Sequence, residues 1–186
     1  MYLEATYQAA ASNLYDFYIL AGTAAATLVG LLFVGLSLHL RIVIAASEVR
    51  SLARVTLANF GAVLFVTLFM VIREDQVAAG LQLIGAGAVS LVVTAPSLLA
   101  AARKQDQGFN MRRRDRARLI LRFGLSGVSY LALMGAGILL LATLISASGL
   151  VLVVAIVTLL LISLRNTWDL LVTVGEVSLG SDKDEG

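Results

Sequence analysis

Polar and ionisable side chains are rare in the apolar stretches of this chain, and several of them crowd into one place. LLLISLRNTWDLLV (Leu159–Val172) begins as pure hydrocarbon and then sets Arg165, Asn166 and Asp169 within five residues. Arg165 and Asp169 stand at i and i+4, so they can pair on one helix face. Their order is the poorer one, and an aspartate near a helix C-terminus opposes the macrodipole. A partner on another helix is therefore expected. Asn59, Arg122 and His39 lie at comparable depth in other apolar runs. One reading is a polar inner-leaflet cluster of Asn59, Arg165, Asn166 and Asp169, with Arg122 or His39 at its rim. It would form a vestibule facing the cytoplasm or a pocket for a lipid headgroup. The plainer reading is an interfacial anchor, in which arginine snorkels, Trp168 belts and aspartate is hydrated.

Other chemistry is poorly supplied. There is no cysteine, so disulfides and thiolate metal sites are excluded, and the single histidine rules out a multi-histidine metal site within one chain. His39 itself can act as a haem ligand or pH sensor, or simply sit at the interface beside Arg41. No GxxxxGKS, HExxH or GxSxG motif occurs. Asp169 is the one acid placed to enter the hydrocarbon, which disfavours a proton-coupled transporter. The expectation is a non-catalytic protein without metal or cofactor.

These residues need elements to hold them. The chain has 186 residues, 59% hydrophobic and 14% charged, with a mean hydropathy of +0.92. A soluble protein of this size has too little interior for so much apolar surface. A spanning helix needs about 20 mainly apolar residues, and five segments qualify: about 17–40, 55–72, 77–102, 119–145 and 150–174. The expected fold is thus an all-α, polytopic transmembrane bundle. Ser146–Gly149 is the expected turn between the last two spans. Residues 1–176 form one transmembrane domain, and the acidic tail 177–186 is expected to be disordered. The N-terminus has no basic region before its first apolar run, unlike a cleaved signal peptide. Tyr2, Leu3, Thr6, Tyr7 and Ala10 suggest a short interfacial helix there.

With five spans, 13 of the 14 basic residues fall on one side, and only Arg73 on the other. The positive-inside bias then puts the N-terminus outside and the C-terminus in the cytoplasm. Tyr15, Phe17 and Tyr18 would belt the outer boundary and Trp168 the inner one. In ARKQDQGFNMRRRDRARLILRF (Ala102–Phe123), Arg112, Arg113, Arg114, Arg116 and Arg118 form a basic loop suited to anionic lipid. Phe109 is its one internal aromatic, which argues against nucleic acid.

Helices in lipid associate through small residues and polar contacts. Gly22, Ala26 and Gly30 repeat every four residues on the first span and are expected to pack against a neighbour. Thr56, Asn59, Val63 and Thr67 align on the second, and Gln82, Ala86 and Ser90 on the third, where Pro96 should kink the inner end. Arg122, Ser126, Ser129, Tyr130 and Gly137 share an arc on the fourth. Thr158, Arg165, Asp169 and Glu176 fall near one line on the fifth.

YDFYILAGTAAATLVGLLFVGLSLHLR (Tyr15–Arg41), RSLARVTLANFGAVL (Arg50–Leu64) and RNTWDLLV (Arg165–Val172) together resemble a group of small five-span bacterial membrane proteins. Those begin with an aromatic–Asp–Phe start, a Gly/Ala-rich run and TGLLFVALSLHL-like sequence. Thr27-Leu28-Val29-Gly30 stands here in place of the group's TGL, and the middle of the chain matches poorly. The resemblance implies a multi-pass protein of the bacterial cytoplasmic membrane and supplies no substrate. Two functions stay open. One is an accessory or scaffold protein, acting as a homo-oligomer or as a subunit of a larger membrane complex, that contacts anionic lipid through its basic loop. The other is a small oligomeric channel with a basic cytoplasmic mouth. The outer half has few polar residues to line a water path, which favours the first.

Overall fold

The computed structural model describes residues 2–38, 47–72, 75–107 and 124–184. Among these the chain is helical with no strand: α1 (Tyr2–Leu38), α2 (Ser47–Val71), α3 (Gln76–Gln107), α4 (Leu125–Leu141) and α5 (Ile145–Asp184). Four helices are long and apolar enough to cross a membrane, over Ser12–Leu38, Val49–Val71, Gln76–Pro96 and Ile145–Val172. The 17 residues of α4 are apolar too and reach about 25 Å at the usual rise. The side-chain distribution is inverted relative to a soluble protein. Thr56, Asn59, Ser126, Ser129 and Ser163 are buried, while Leu20, Leu38, Val92 and Leu150 are exposed. Such a surface suits hydrocarbon as solvent. This is the make-up of a multi-pass membrane protein.

Helices α2 and α5 form the middle of the bundle. Each contacts the other and α1; α3 packs on α2 and α4, and α4 on α5. At one end Leu170 joins Val49, Leu52 and Ala53 in a small apolar cluster. At the other, Met70 lines a pocket with Ile145 and Leu152. The two helices are therefore antiparallel. Their buried stripes advance by alternate steps of three and four residues: Leu52, Thr56, Asn59, Val63 and Val66 on α2, and Ile156, Leu159, Ser163, Asn166 and Leu170 on α5. That 3.5-residue period keeps one face turned to a near-parallel neighbour.

The same period explains α1. Tyr18, Ala21, Ala25 and Leu32 are buried, Gly22 lies at the rim of the stripe, and Ala26 and Gly30 face outward. A strict four-residue repeat drifts by about 40° per step, so the expected Gly22–Ala26–Gly30 seam leaves the interface after its first member. A Cβ at Gly22 would meet Thr67 Oγ1 at 2.7 Å, whereas one at Gly30 would meet nothing within 4 Å. The close seam lies instead between α3 and α4. A Cβ at Gly137 would meet the Gly80 carbonyl at 2.6 Å, and one at Gly87 the Tyr130 carbonyl at 2.8 Å. Steps of seven on both helices (80 to 87, 137 to 130) match these contacts in antiparallel register.

Two further expectations are corrected. The α4–α5 turn falls at Ala142–Leu144, before Ser146–Gly149. Thr143 takes φ 65°, its N–H donates to the Leu140 carbonyl at 3.0 Å, and Leu144 N–H donates to the Leu139 carbonyl at 2.9 Å. This is a Schellman ending with threonine where glycine is usual. Ser148 is already helical, its N–H donating to the Leu144 carbonyl at 3.0 Å and its hydroxyl to the Ala136 carbonyl of α4 at 2.8 Å, and a Cβ at Gly149 would lie 3.5 Å from Leu14 Cδ1. Helix α5 runs as far as Asp184. The N-terminal residues form no separate interfacial helix. They continue α1, and Tyr7 is buried with Tyr18 in the core. Tyr18 thus leaves the expected belt, while Tyr15 and Trp168 remain exposed.

Candidate functional site

A layer of polar side chains crosses the bundle near the Leu170 end. Asn59 is at its centre, wholly buried on the inner stripe of α2. Its Nδ2 donates to Ser126 Oγ at 3.1 Å, and its Oδ1 accepts from the Tyr130 hydroxyl. Ser126 and Tyr130 lie four residues apart, on one face of α4. The Thr94 hydroxyl of α3 adjoins the Tyr130 hydroxyl while donating to the Ser90 carbonyl at 2.7 Å. One asparagine amide thereby ties α2 to α4, and Thr94 of α3 lies beside the network. Away from water, such bonds cost more to break than to leave intact, because a stranded polar group has no substitute partner.

On α5 the layer continues through Ser163 and Asn166, both buried. Their side chains differ from Asn59 in one respect: Ser163 Oγ and both amide atoms of Asn166 have no hydrogen-bond partner. An unpartnered amide in apolar surroundings costs about 2–7 kcal/mol. Taking Leu170 level with Leu52 of its cluster, as Leu152 is with Met70 in the pocket at the other end, equal counts along the two helices set Asn166 opposite Thr56 and Ser163 opposite Asn59. The Thr56 hydroxyl donates to its own helix, at the Leu52 carbonyl, 2.9 Å away.

The residues singled out from the sequence divide. Asn59 and Asn166 point inward, Arg165 is exposed, and Asp169 is half-buried. Arg165 therefore stands apart from Asn59. The line Thr158–Arg165–Asp169 lies one residue, about 100°, from the buried line Leu159–Ser163–Asn166–Leu170. His39 and Arg122 lie outside the described residues, as do Arg112, Arg113, Arg114, Arg116 and Arg118. Ser163 and Thr94 escaped the sequence reading. The heptad spacing of Ser163 with Leu159, Asn166 and Leu170 is the signal that could have found the first. Among the described residues, no three His, Cys, Asp or Glu side chains gather as metal ligands.

Beside this layer a groove of about 520 Å³ opens between α2 and α3. Ala58, Gly61, Gly85 and Ala86 line it with the rings of Phe65 and Phe69, which stack at 6.1 Å. Missing side-chain bulk on both helices makes the hollow, and its lining is almost wholly apolar. Comparisons with protein-family models, curated proteins and solved structures gave no match.

Proposed function

We propose that the chain is a non-catalytic accessory or scaffold protein of a bacterial cytoplasmic membrane, with five spans, an outer N-terminus and a cytoplasmic C-terminus. The observation that carries this reading is the closure of the polar layer. Asn59, Ser126, Ser163 and Asn166 are buried between two apolar layers. Phe60, Val63 and Leu159 lie on one side, and Leu52, Ala53 and Leu170 on the other. Polar atoms arranged this way join helices and do not line a conduit through a single chain.

The orientation rests on charge. Arg50, Arg54 and Arg165 are exposed toward the Leu170 end, and Asp16 and Asp75 toward the Ile145 end. Cations stay on the cytoplasmic face during insertion. Helix α4 is read as the remaining, fourth span in chain order, because its antiparallel register with α3 carries it back alongside that helix. The resemblance of Tyr15–Arg41 and Arg165–Val172 to small bacterial membrane proteins supports the compartment. Arg112–Arg118 would hold anionic lipid, and the groove between α2 and α3 offers a face to a second copy or to another membrane protein.

Flux through proteoliposomes tests the function. Electrical silence, together with stable co-purification of a membrane partner, supports the scaffold. A steady ion leak abolished by Arg165→Leu would replace it with an oligomeric channel. Orientation is tested with single cysteines, since the chain has none of its own. Arg116→Cys should resist impermeant maleimide added outside cells while Asp75→Cys reacts; the reverse pattern inverts the topology.

A further inference from the structure

Asn166 and Ser163 are one helical turn apart on the buried stripe of α5, and together they present three side-chain atoms without a hydrogen-bond partner. Their opposite numbers on α2 do not meet the need. Asn59 already engages Ser126 and Tyr130, and the Thr56 hydroxyl proton is held by the Leu52 carbonyl. Those facing groups nevertheless keep unused capacity. The amide of Asn59 has a second N–H, and the Thr56 oxygen has lone pairs.

The chemistry of the three atoms restricts what can satisfy them. Asn166 Oδ1 requires a donor and Asn166 Nδ2 an acceptor, so the occupant must do both. None of Thr56, Asn59, Ser163 and Asn166 carries a charge. An anion would face the Oδ1 lone pairs, and a cation would face the Nδ2 hydrogens. The occupant must also be small, because the layer is closed at one end by Leu170, Leu52 and Ala53 and at the other by Leu159, Phe60 and Val63. A neutral molecule with balanced donors and acceptors and no apolar part meets every condition. Internal waters of folded proteins typically bridge two to four such groups.

We propose that Ser163 and Asn166 form an internal water site between α5 and α2, and that the water joins α5 to the Asn59–Ser126–Tyr130 network. Asn59 binds α4 directly; α5 is bound through the solvent molecule. The polar layer then joins α2, α4 and α5 as one hydrogen-bonded belt. This inference stands apart from the scaffold reading and holds equally for a channel.

X-ray radiolytic labelling of the full chain in nanodiscs tests it, because hydroxyl radicals formed from a bound water oxidise the side chains that touch it. Leu159 and Leu170 flank the pair on the same stripe. In wild type they should be labelled several-fold faster than Leu133 and Leu32, which are equally buried but lie on α4 and α1. Transfer into H₂¹⁸O should carry the heavy isotope into the oxidised products. The excess labelling should disappear in Asn166→Leu/Ser163→Ala and fall in Ser163→Ala alone. Labelling of Leu159 and Leu170 no faster than Leu133 in wild type overturns the proposal, and this arm requires no variant to fold. Excess labelling that persists in the double variant overturns it as well, by placing the water elsewhere. A small-molecule adduct seen by native mass spectrometry and lost from the double variant replaces water with a solute.

Discussion

The Gly80–Gly137 contact allows a test in which two neighbouring substitutions should have opposite effects. A Cβ at Gly137 would lie 2.6 Å from the Gly80 carbonyl oxygen, 2.8 Å from Ile84 Cγ1 and 3.1 Å from the Ile84 nitrogen. Two of those three atoms are backbone, so no side-chain rotation relieves the clash. Carbon–oxygen contacts between packed helices settle near 3.3 Å or more, and α3 and α4 must part locally by about 0.7 Å. Overpacking of this kind costs about 1–3 kcal/mol. Replacing a helical glycine by alanine returns about 1 kcal/mol. Gly137→Ala should therefore lose up to about 2 kcal/mol net. At Gly135, two residues away on the same helix, an added Cβ meets nothing within 4 Å, so Gly135→Ala retains the gain alone. Reversible unfolding in mixed micelles titrated with SDS, followed by circular dichroism, reads both variants on one scale. If Gly137→Ala proves as stable as Gly135→Ala, the close approach of α3 and α4 is wrong.

Three more outcomes follow from the packing. Asn59→Leu and Tyr130→Phe should each destabilise the bundle, with a coupling of about 0.5–2 kcal/mol in the double-mutant cycle; strict additivity would deny their hydrogen bond. Thr143→Gly should raise stability by about 1 kcal/mol, because a β-branched residue is strained at φ 65°; the same unfolding titration checks it, and a loss would refute the turn. Trp168 is the single tryptophan and is 68% exposed. Its fluorescence should be quenched strongly by brominated lipid and weakly by aqueous iodide, and the opposite ranking would place it in water or inside an interface.

Much of this architecture is legible in the sequence because hydrocarbon reduces the choices. Apolar runs about 20 residues long admit helices and little else. The stripe Thr56–Asn59–Val63–Thr67 is found buried as expected, since its three- and four-residue steps match the period of near-parallel packing. The Gly22–Ala26–Gly30 repeat misleads because regular fours wind off a partner that regular sevens would follow. The α4–α5 turn hides for another reason. Glycine marks most such turns, but here threonine accepts the left-handed conformation, and the visible glycine three residues past Ser146 is used for helix packing. Arg165 and Asn166 are neighbours in sequence, yet successive helical residues point about 100° apart. Only a knowledge of which neighbour α5 faces decides which of them turns inward.

The glycine seam also bears on how the polypeptide is held together. Gly80 and Gly137 meet at the extremity of α3 and α4 farthest from the 108–123 connection, and Gly87 grips Tyr130 midway. The two arms are clasped by their own backbones, so covalent continuity between them is redundant for their union. Fragments 1–107 and 108–186, expressed side by side, should find each other in the bilayer and rebuild the whole. A reporter protein spliced into the connection should ride on an unchanged bundle.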